Sequence, residues 1–245
     1  MTPFLLLTAR TLRRSRADLA FAVLTPIFGV VGLTLLLRGV IATGQMIYAQ
    51  YVLPAIVVQA MLFGAFTTTD RAAWEKISGL SSRMRTLPIS PYLPLGARMA
   101  YCVVRGVLAL VAAILAAYFL GFRLDGGFGY SVAFISLSLT LTMALSLGAD
   151  ATGSKIGRTE VASQLLLIPQ LLLVVLSTGL APVDAFPSWL HSFVRYQPIS
   201  QITETLRGFT VGQVEAGNLG ASVAWCAGLL LVFGTLAVRL QGRTS

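Results

Sequence analysis

Charge is scarce in this chain. Only 11% of its 245 residues are Asp, Glu, Lys or Arg, against about 25% in soluble domains. Histidine occurs once, as His191, which rules out metal clusters built on several imidazoles. Cys102 and Cys226 are the only cysteines, and both fall inside apolar runs. They read as small core residues, with no disulfide and no metal site. No glycine-rich P-loop is present, so the chain cannot hold ATP by that device. No H-E-x-x-H, G-x-S-x-G or His/Asp pairing supports a membrane hydrolase. The centres of the apolar runs lack the carboxylates and histidines that proton- or ion-coupled carriers use as relays. Any work must therefore draw its energy from a partner. A secretory signal is not expected either, because the cations of "FLLLTARTLRRSR" follow the first apolar patch and no A-x-A site comes after them.

Apolar sequence fills the space that charge leaves. The chain is 56% hydrophobic with a mean hydropathy of +0.81. A membrane span needs about 20 apolar residues to cross roughly 30 Å of hydrocarbon. Six runs qualify, at about 18–37, 47–69, 99–121, 129–148, 161–181 and 219–239. The expected fold is an all-α polytopic membrane protein forming one domain over 1–245. Residues 3–16 predict an interfacial helix, with Leu5, Ala9 and Leu12 on one face and Arg10, Arg13 and Arg14 on another. Pro26 falls inside the first span. Ala109, Ala113 and Ala117 give the third span a stripe of small residues suited to close helix packing.

The net charge of +9 does not point to nucleic acid, because the cations sit in the gaps between spans. With alternating sides, thirteen Lys and Arg fall on the side of the termini and the 70–98 loop, and four fall opposite: Arg38, Arg123, Arg195 and Arg207. Arg105 lies within the third span, where it can snorkel or pair. The positive-inside rule then predicts a multi-pass plasma-membrane protein with both termini and the 70–98 loop in the cytoplasm.

Three constellations stand out. In the 70–98 loop, a helix over about 70–85 would place Trp74, Ile77 and Leu80 on one face and Arg71, Glu75 and Ser78 on another, with Pro88 as a stop. Such a helix suits mechanical coupling to a soluble partner; equally, the loop is a solvated positive-inside segment with Trp74 anchored at the headgroups. In the 182–216 segment, Pro187 suits a helix start, Trp189, Phe193 and Tyr196 form one stripe, and Pro198 separates it from a second stripe of Ile202, Leu206 and Phe209. These predict two short re-entrant helices in the outer leaflet, or a loop resting on the surface. Within the spans, Gln59, Phe63 and Phe66 share a face of span two. Ser163, Gln170 and Ser177 recur at seven-residue spacing on span five. A mixed amide and aromatic lining suits an amphipathic solute, and interhelical hydrogen bonding is the plainer reading of each residue. Ser138, Thr142 and Ser146 read as packing.

Two stretches carry a family resemblance: "GLSSRMRTLPISPYLPLGARM" after span two, and "LLIPQLLLVVLSTGLAPVDAFPSWLHSFVRYQPISQITETLRG" from span five onward. Together they resemble the ABC-2 type transporter permeases, in the branch similar to the daunorubicin-resistance permease. The resemblance covers essentially the whole chain. One departure is Pro91, where the branch often has a basic residue.

The resemblance implies an export permease with no ATP site of its own. Two six-span subunits, identical or paralogous, would dock on two separate ATP-binding-cassette ATPases that carry ATP and Mg²⁺. It implies a coupling helix in the 70–98 loop and an outer cap between spans five and six. The expected ATPase-coupling residues are Trp74, Glu75, Arg83, Arg85 and Pro88. The expected translocation path contains Gln59, Phe63, Phe66, Gln170 and Ser177, and the extracellular gate contains Pro182, Pro187, Trp189 and Pro198. The implied substrates are lipophilic or amphipathic: a drug, an antibiotic or a complex lipid. The competing readings are a membrane scaffold that recruits a soluble partner through 70–88 without a transport path, and an ATP-independent carrier or channel.

Overall fold

The computed structural model describes residues 8, 11–12, 15–37, 47–79, 92–156, 159–179 and 181–242, without the side chains of 159–163, 166, 241 and 242. Every regular element among them is helical. In chain order the helices are α1 (Arg16–Leu37), α2 (Tyr48–Ile77), α3 (Leu93–Phe119), α4 (Gly127–Ile156), α5 (Thr159–Val175), α6 (His191–Tyr196), α7 (Pro198–Val211) and α8 (Ala216–Gly242). Two 3₁₀ turns, Val183–Ala185 and Ser188–Leu190, lie between α5 and α6.

Five helices, α1–α4 and α8, are long and apolar enough to cross a membrane. The fifth expected span differs. Helix α5 has 17 residues, which at about 1.5 Å per residue reaches about 25 Å, short of a full hydrocarbon core. Its C-terminus gives way to a turn over 176–179. Of the expected interfacial helix over 3–16, Thr8, Thr11, Leu12, Ser15 and Arg16 are described; the first three are helical, Ser15 is a turn and Arg16 opens α1.

Helix α2 is the centre of the bundle, packing against α1, α3, α4, α5 and α7. It also runs further than its hydropathy indicates. The stretch 70–77 is not a separate amphipathic helix reaching Arg85; it is the last two turns of α2. Ala72 and Ala73 are buried there, and the helix stops where Gly79 takes a left-handed φ of 68°, the conformation that glycine adopts most readily at a helix C-terminus. The rest of the expected coupling segment, with Arg83, Arg85, Pro88 and Pro91, lies outside the described residues.

Helix α4 is extended in the same way. The polar stretch after Gly148 continues as helix to Ile156 instead of forming a loop. The two extensions stabilise each other. A Cβ on Gly153 would strike the Thr69 carbonyl and press on Ala72, so glycine is what lets α2 and α4 touch. Gly148 likewise makes room for the Phe233 ring of α8. The Ala109, Ala113 and Ala117 stripe of α3 is buried throughout.

The second helix of the 182–216 segment does not rest on a surface. Ile202, Leu206 and Phe209 are 1%, 0% and 5% exposed, and α7 packs against α2, α4 and α8. Its polar face is buried too. Thr205 bonds the Gln201 carbonyl at 2.9 Å and meets the Ser222 hydroxyl of α8 at 2.8 Å. Of the two stripes, the one formed by Trp189, Phe193 and Tyr196 faces outward. Gly212, at φ 74°, ends α7.

Candidate functional site

Among the described residues, the ion pairs of this apolar bundle gather toward the two ends of α2. Tyr51 and Glu75 are 24 positions apart in the sequence, about 36 Å along a helix, so the two clusters lie on opposite sides of a bilayer thickness.

At the Ile77 end, α3 supplies two arginines. Arg98 grips Asp150 of α4 through Nε at 2.6 Å and Nη2 at 3.1 Å, and reaches Glu75 of α2 through Nη1 at 2.7 Å. Asp150 is 1% exposed. The Arg98 guanidinium is the charge partner that offsets the burial of this carboxylate, through one hydrogen bond from Nη2 and an ion-pair contact at Nε. Arg105 does not snorkel. Its Nε lies 3.3 Å from Asp18 of α1, and Asp18 also accepts the Tyr101 hydroxyl at 2.5 Å. Arg71 of α2 lies over the Tyr101 ring at 4.2 Å and donates to Ser15. Lys76 caps the Lys155 carbonyl at 2.8 Å. These contacts tie α1, α2, α3 and α4 together next to the segment that follows α2.

The expected coupling residues divide here. Trp74 and Ile77 project outward, 51% and 59% exposed. Glu75 instead spends its carboxylate on Arg98. In the middle of α2, Gln59 lines a cleft with Thr25, Pro26, Gly29, Ile56 and Ala60, between α1 and α2. Phe63 is exposed and Phe66 half-buried on the same face of α2. Gln170 is half-buried on α5, and the side chain of Ser163 lies outside the described residues. Ser177 does not continue the α5 face, because the helix has ended. Its hydroxyl donates to the Val174 carbonyl at 2.7 Å and accepts from the Gly179 N–H at 3.3 Å, shaping the turn.

At the Tyr48 end, that turn is clamped. Arg207 of α7 donates to the carbonyls of Tyr51 (3.2 Å) and Thr178 (3.3 Å), pairs with Glu204 at 2.7 Å, and stacks over the Tyr51 ring at 3.8 Å. The Tyr51 hydroxyl donates to the same Thr178 carbonyl at 3.1 Å. Gln197 donates to the Leu176 carbonyl, and the Ser200 hydroxyl accepts the Thr178 N–H at 3.0 Å. These side chains satisfy backbone groups of the turn that follows α5, the Leu176 and Thr178 carbonyls and the Thr178 N–H. Of the expected gate residues, Pro182, Pro187 and Trp189 are exposed. Pro198 opens α7 in its first turn, where the missing N–H has no consequence. His191 Nε2 lies 2.8 Å from the Phe186 carbonyl and steadies the turn before α6.

Sequence reasoning missed Asp18, Arg98, Asp150, Tyr51 and Arg207 as a framework. The Glu204/Arg207 spacing of three was a readable signal for one pair. The small-residue run "GADATG" around Asp150 was a readable signal of close helix contact.

Residues 24–239 match a family described as ABC-2 family transporter protein. The chain is 33% identical over 189 residues to the doxorubicin resistance ABC transporter permease protein DrrB of Mycobacterium tuberculosis (strain ATCC 25618 / H37Rv), covering 75% of this chain and 65% of that one. It is 28% identical over 231 residues to the daunorubicin resistance ABC transporter permease protein DrrB1 of Streptomyces coeruleorubidus, covering 89% and 77%. It is 26% identical over 234 residues to the probable doxorubicin resistance ABC transporter permease protein DrrC of M. tuberculosis, covering 93% and 84%. The chain thus spans just under two thirds of the length of the first of these relatives.

Proposed function

Since the chain belongs to the ABC-2 family of transporter proteins, we propose that it is the membrane-spanning permease subunit of an ATP-driven exporter of lipophilic or amphipathic compounds. Anthracycline-like drugs are the first class to test, because the relatives are named for resistance to doxorubicin and daunorubicin; complex lipids are a second. Separate ATP-binding-cassette ATPases, carrying ATP and Mg²⁺, drive it, and a second permease subunit completes the path. In this reading α5 serves as a sixth span, residues 3–16 lie on the inner leaflet, and the 182–216 segment forms the outer cap. The arginine-rich side faces the cytoplasm, as the positive-inside rule requires.

The observation that carries the proposal is the length of α2. One continuous helix runs from the outward-facing Trp74 and Ile77, past the Gln59, Phe63 and Phe66 face, to the Arg207 clamp. An ATPase seated on Trp74, Ile77 and the adjoining segment with Arg83, Arg85 and Pro88 moves a rigid lever. Glu75 acts one step behind that surface, passing the displacement through Arg98 to Asp150 and α4. Gln59, Phe63, Phe66 and Gln170 line the path, Ser177 shapes its outer end, and Pro182, Pro187, Trp189 and Pro198 set the geometry of the gate.

The test is co-purification of the full chain with an ATP-binding-cassette ATPase in lipid nanodiscs. The chain should raise the ATPase rate. Trp74→Ala, at an exposed position, should lower that stimulation at least about fivefold, as expected for an aromatic contact worth about 1 kcal/mol or more, without shifting the chain's thermal unfolding. An ATPase that neither binds nor responds defeats the proposal.

A further inference from the structure

We propose that Arg207 is the latch of the outer closure: a positioning residue that holds the turn after α5 against α2 while the path is shut, and leaves with Glu204 when it opens. The inference rests on the export reading above and adds the residue that shuts the outer end.

The latch joins three elements at one guanidinium. Its acceptors are the Tyr51 carbonyl and ring of α2, the Thr178 carbonyl of the turn, and Glu204 of its own helix. Any movement that separates α2 from the turn breaks bonds at Arg207. The contact is close as well as polar: a Cβ on Gly179 would lie 2.9 Å from the Ala55 methyl. Two donors, the Tyr51 hydroxyl and Arg207 Nη2, converge on the single Thr178 carbonyl. Moving one peptide group therefore releases both.

Two features distinguish a latch from a permanent staple. The first is the position of the counter-charge. The side chain of Arg207 is 8% exposed while that of Glu204 is 34% exposed. The two are three residues apart on one helix, so the ion pair can pass into water intact and no bare charge is left in the bundle. The second is a set of unmet hydrogen bonds in this arrangement. Thr178 Oγ1, Gln197 Oε1 and Thr203 Oγ1 are all buried without a partner. They sit in the same knot, since Thr178 and Gln197 both bond Ser200, and Thr203 Cγ2 flanks Gly179. Buried polar groups without partners carry an unfavourable desolvation term. Water entering an opened end would satisfy all three, so wetting favours the open form and Arg207 must hold against it.

The test uses the full chain in intact cells with its two buried cysteines replaced by alanine. Thr203→Cys places a thiol at a fully buried knot position, and Ala113→Cys places one at a fully buried position on α3. The probe is a membrane-impermeant maleimide added outside. With Arg207 intact, both reporters should be protected. R207Q should raise labelling of the knot reporter about tenfold or more, the scale of losing bonds to a charged group, and Y51F should raise it by a smaller factor. The α3 reporter should stay protected in both. Unchanged labelling of the knot reporter in R207Q overturns the latch. Labelling of both reporters together also overturns it, because that is general loosening. Solute export with no labelling change removes the latch alone; a labelling change in a chain that exports nothing removes the export reading alone.

Discussion

Replacing Arg98 by leucine should be among the most damaging single changes in the protein. The substitution leaves Asp150, 1% exposed, with its two close contacts to Arg98 at 2.6 and 3.1 Å removed. It also releases Glu75, which sits 2.7 Å from the same guanidinium. Breaking a buried ion pair from one side costs about 3–5 kcal/mol. A chain of this length loses about 2–4 °C of melting temperature per kcal/mol, so R98L should unfold about 10 °C earlier. The double variant R98L/D150L tests the mechanism. It removes both buried charges, and apolar replacement of a buried pair is often neutral, so at least half of the lost stability should return. Glu75, at the edge of the bundle with 16% side-chain exposure, can turn to water. Thermal unfolding in nanodiscs, followed by intrinsic tryptophan fluorescence, reads both variants. A shift below about 2 °C in R98L, or a double variant less stable than the single, refutes the idea that this pair is a mutual requirement.

Two packing predictions follow from the same geometry. G153V should destabilise by about 1–3 kcal/mol, because its side chain meets the Thr69 carbonyl and Ala72 where α2 and α4 touch; the loss should appear as earlier unfolding in the same fluorescence assay. T205V strands the Ser222 hydroxyl, buried at 0% exposure, and should cost about 1–3 kcal/mol. T205V/S222A removes both hydroxyls of the α7–α8 contact and should recover most of that loss, as a double-mutant cycle would show.

Hydropathy made the apolar runs legible, because a bilayer admits few alternatives to a long helix. The ends of the helices were less legible. The 70–77 and 149–156 stretches both fall outside the apolar runs, since Asp70, Arg71, Glu75, Asp150 and Lys155 break the pattern; the first reads as part of a separate amphipathic helix and the second as a polar loop. They stay helical because they pack on one another and neutralise one another, a tertiary effect that no single window contains. Helix α7 misled for the opposite reason. Its hydrophobic stripe is real, but Thr205 and Thr210 bond carbonyls of their own helix and Arg207 finds partners from α2 and the α5 turn. A polar face that satisfies itself in this way can be buried, and amphipathicity alone then no longer marks a surface. Among the candidate site residues, the shared face of Gln59, Phe63 and Phe66 followed from helical spacing. The diversion of Glu75 to Arg98 did not, because the two are 23 positions apart.

The most direct measurement of export is ATP-dependent doxorubicin accumulation in inverted membrane vesicles containing the full chain and its co-purifying ATPase. Accumulation should require both proteins, and should vanish when the ATPase's P-loop lysine is replaced. It should also fall in R98L, assayed at a temperature where that variant remains folded. Accumulation that proceeds without ATP, or that the ATPase supports equally well in vesicles lacking this chain, would contradict a role as the permease of an ATP-driven exporter.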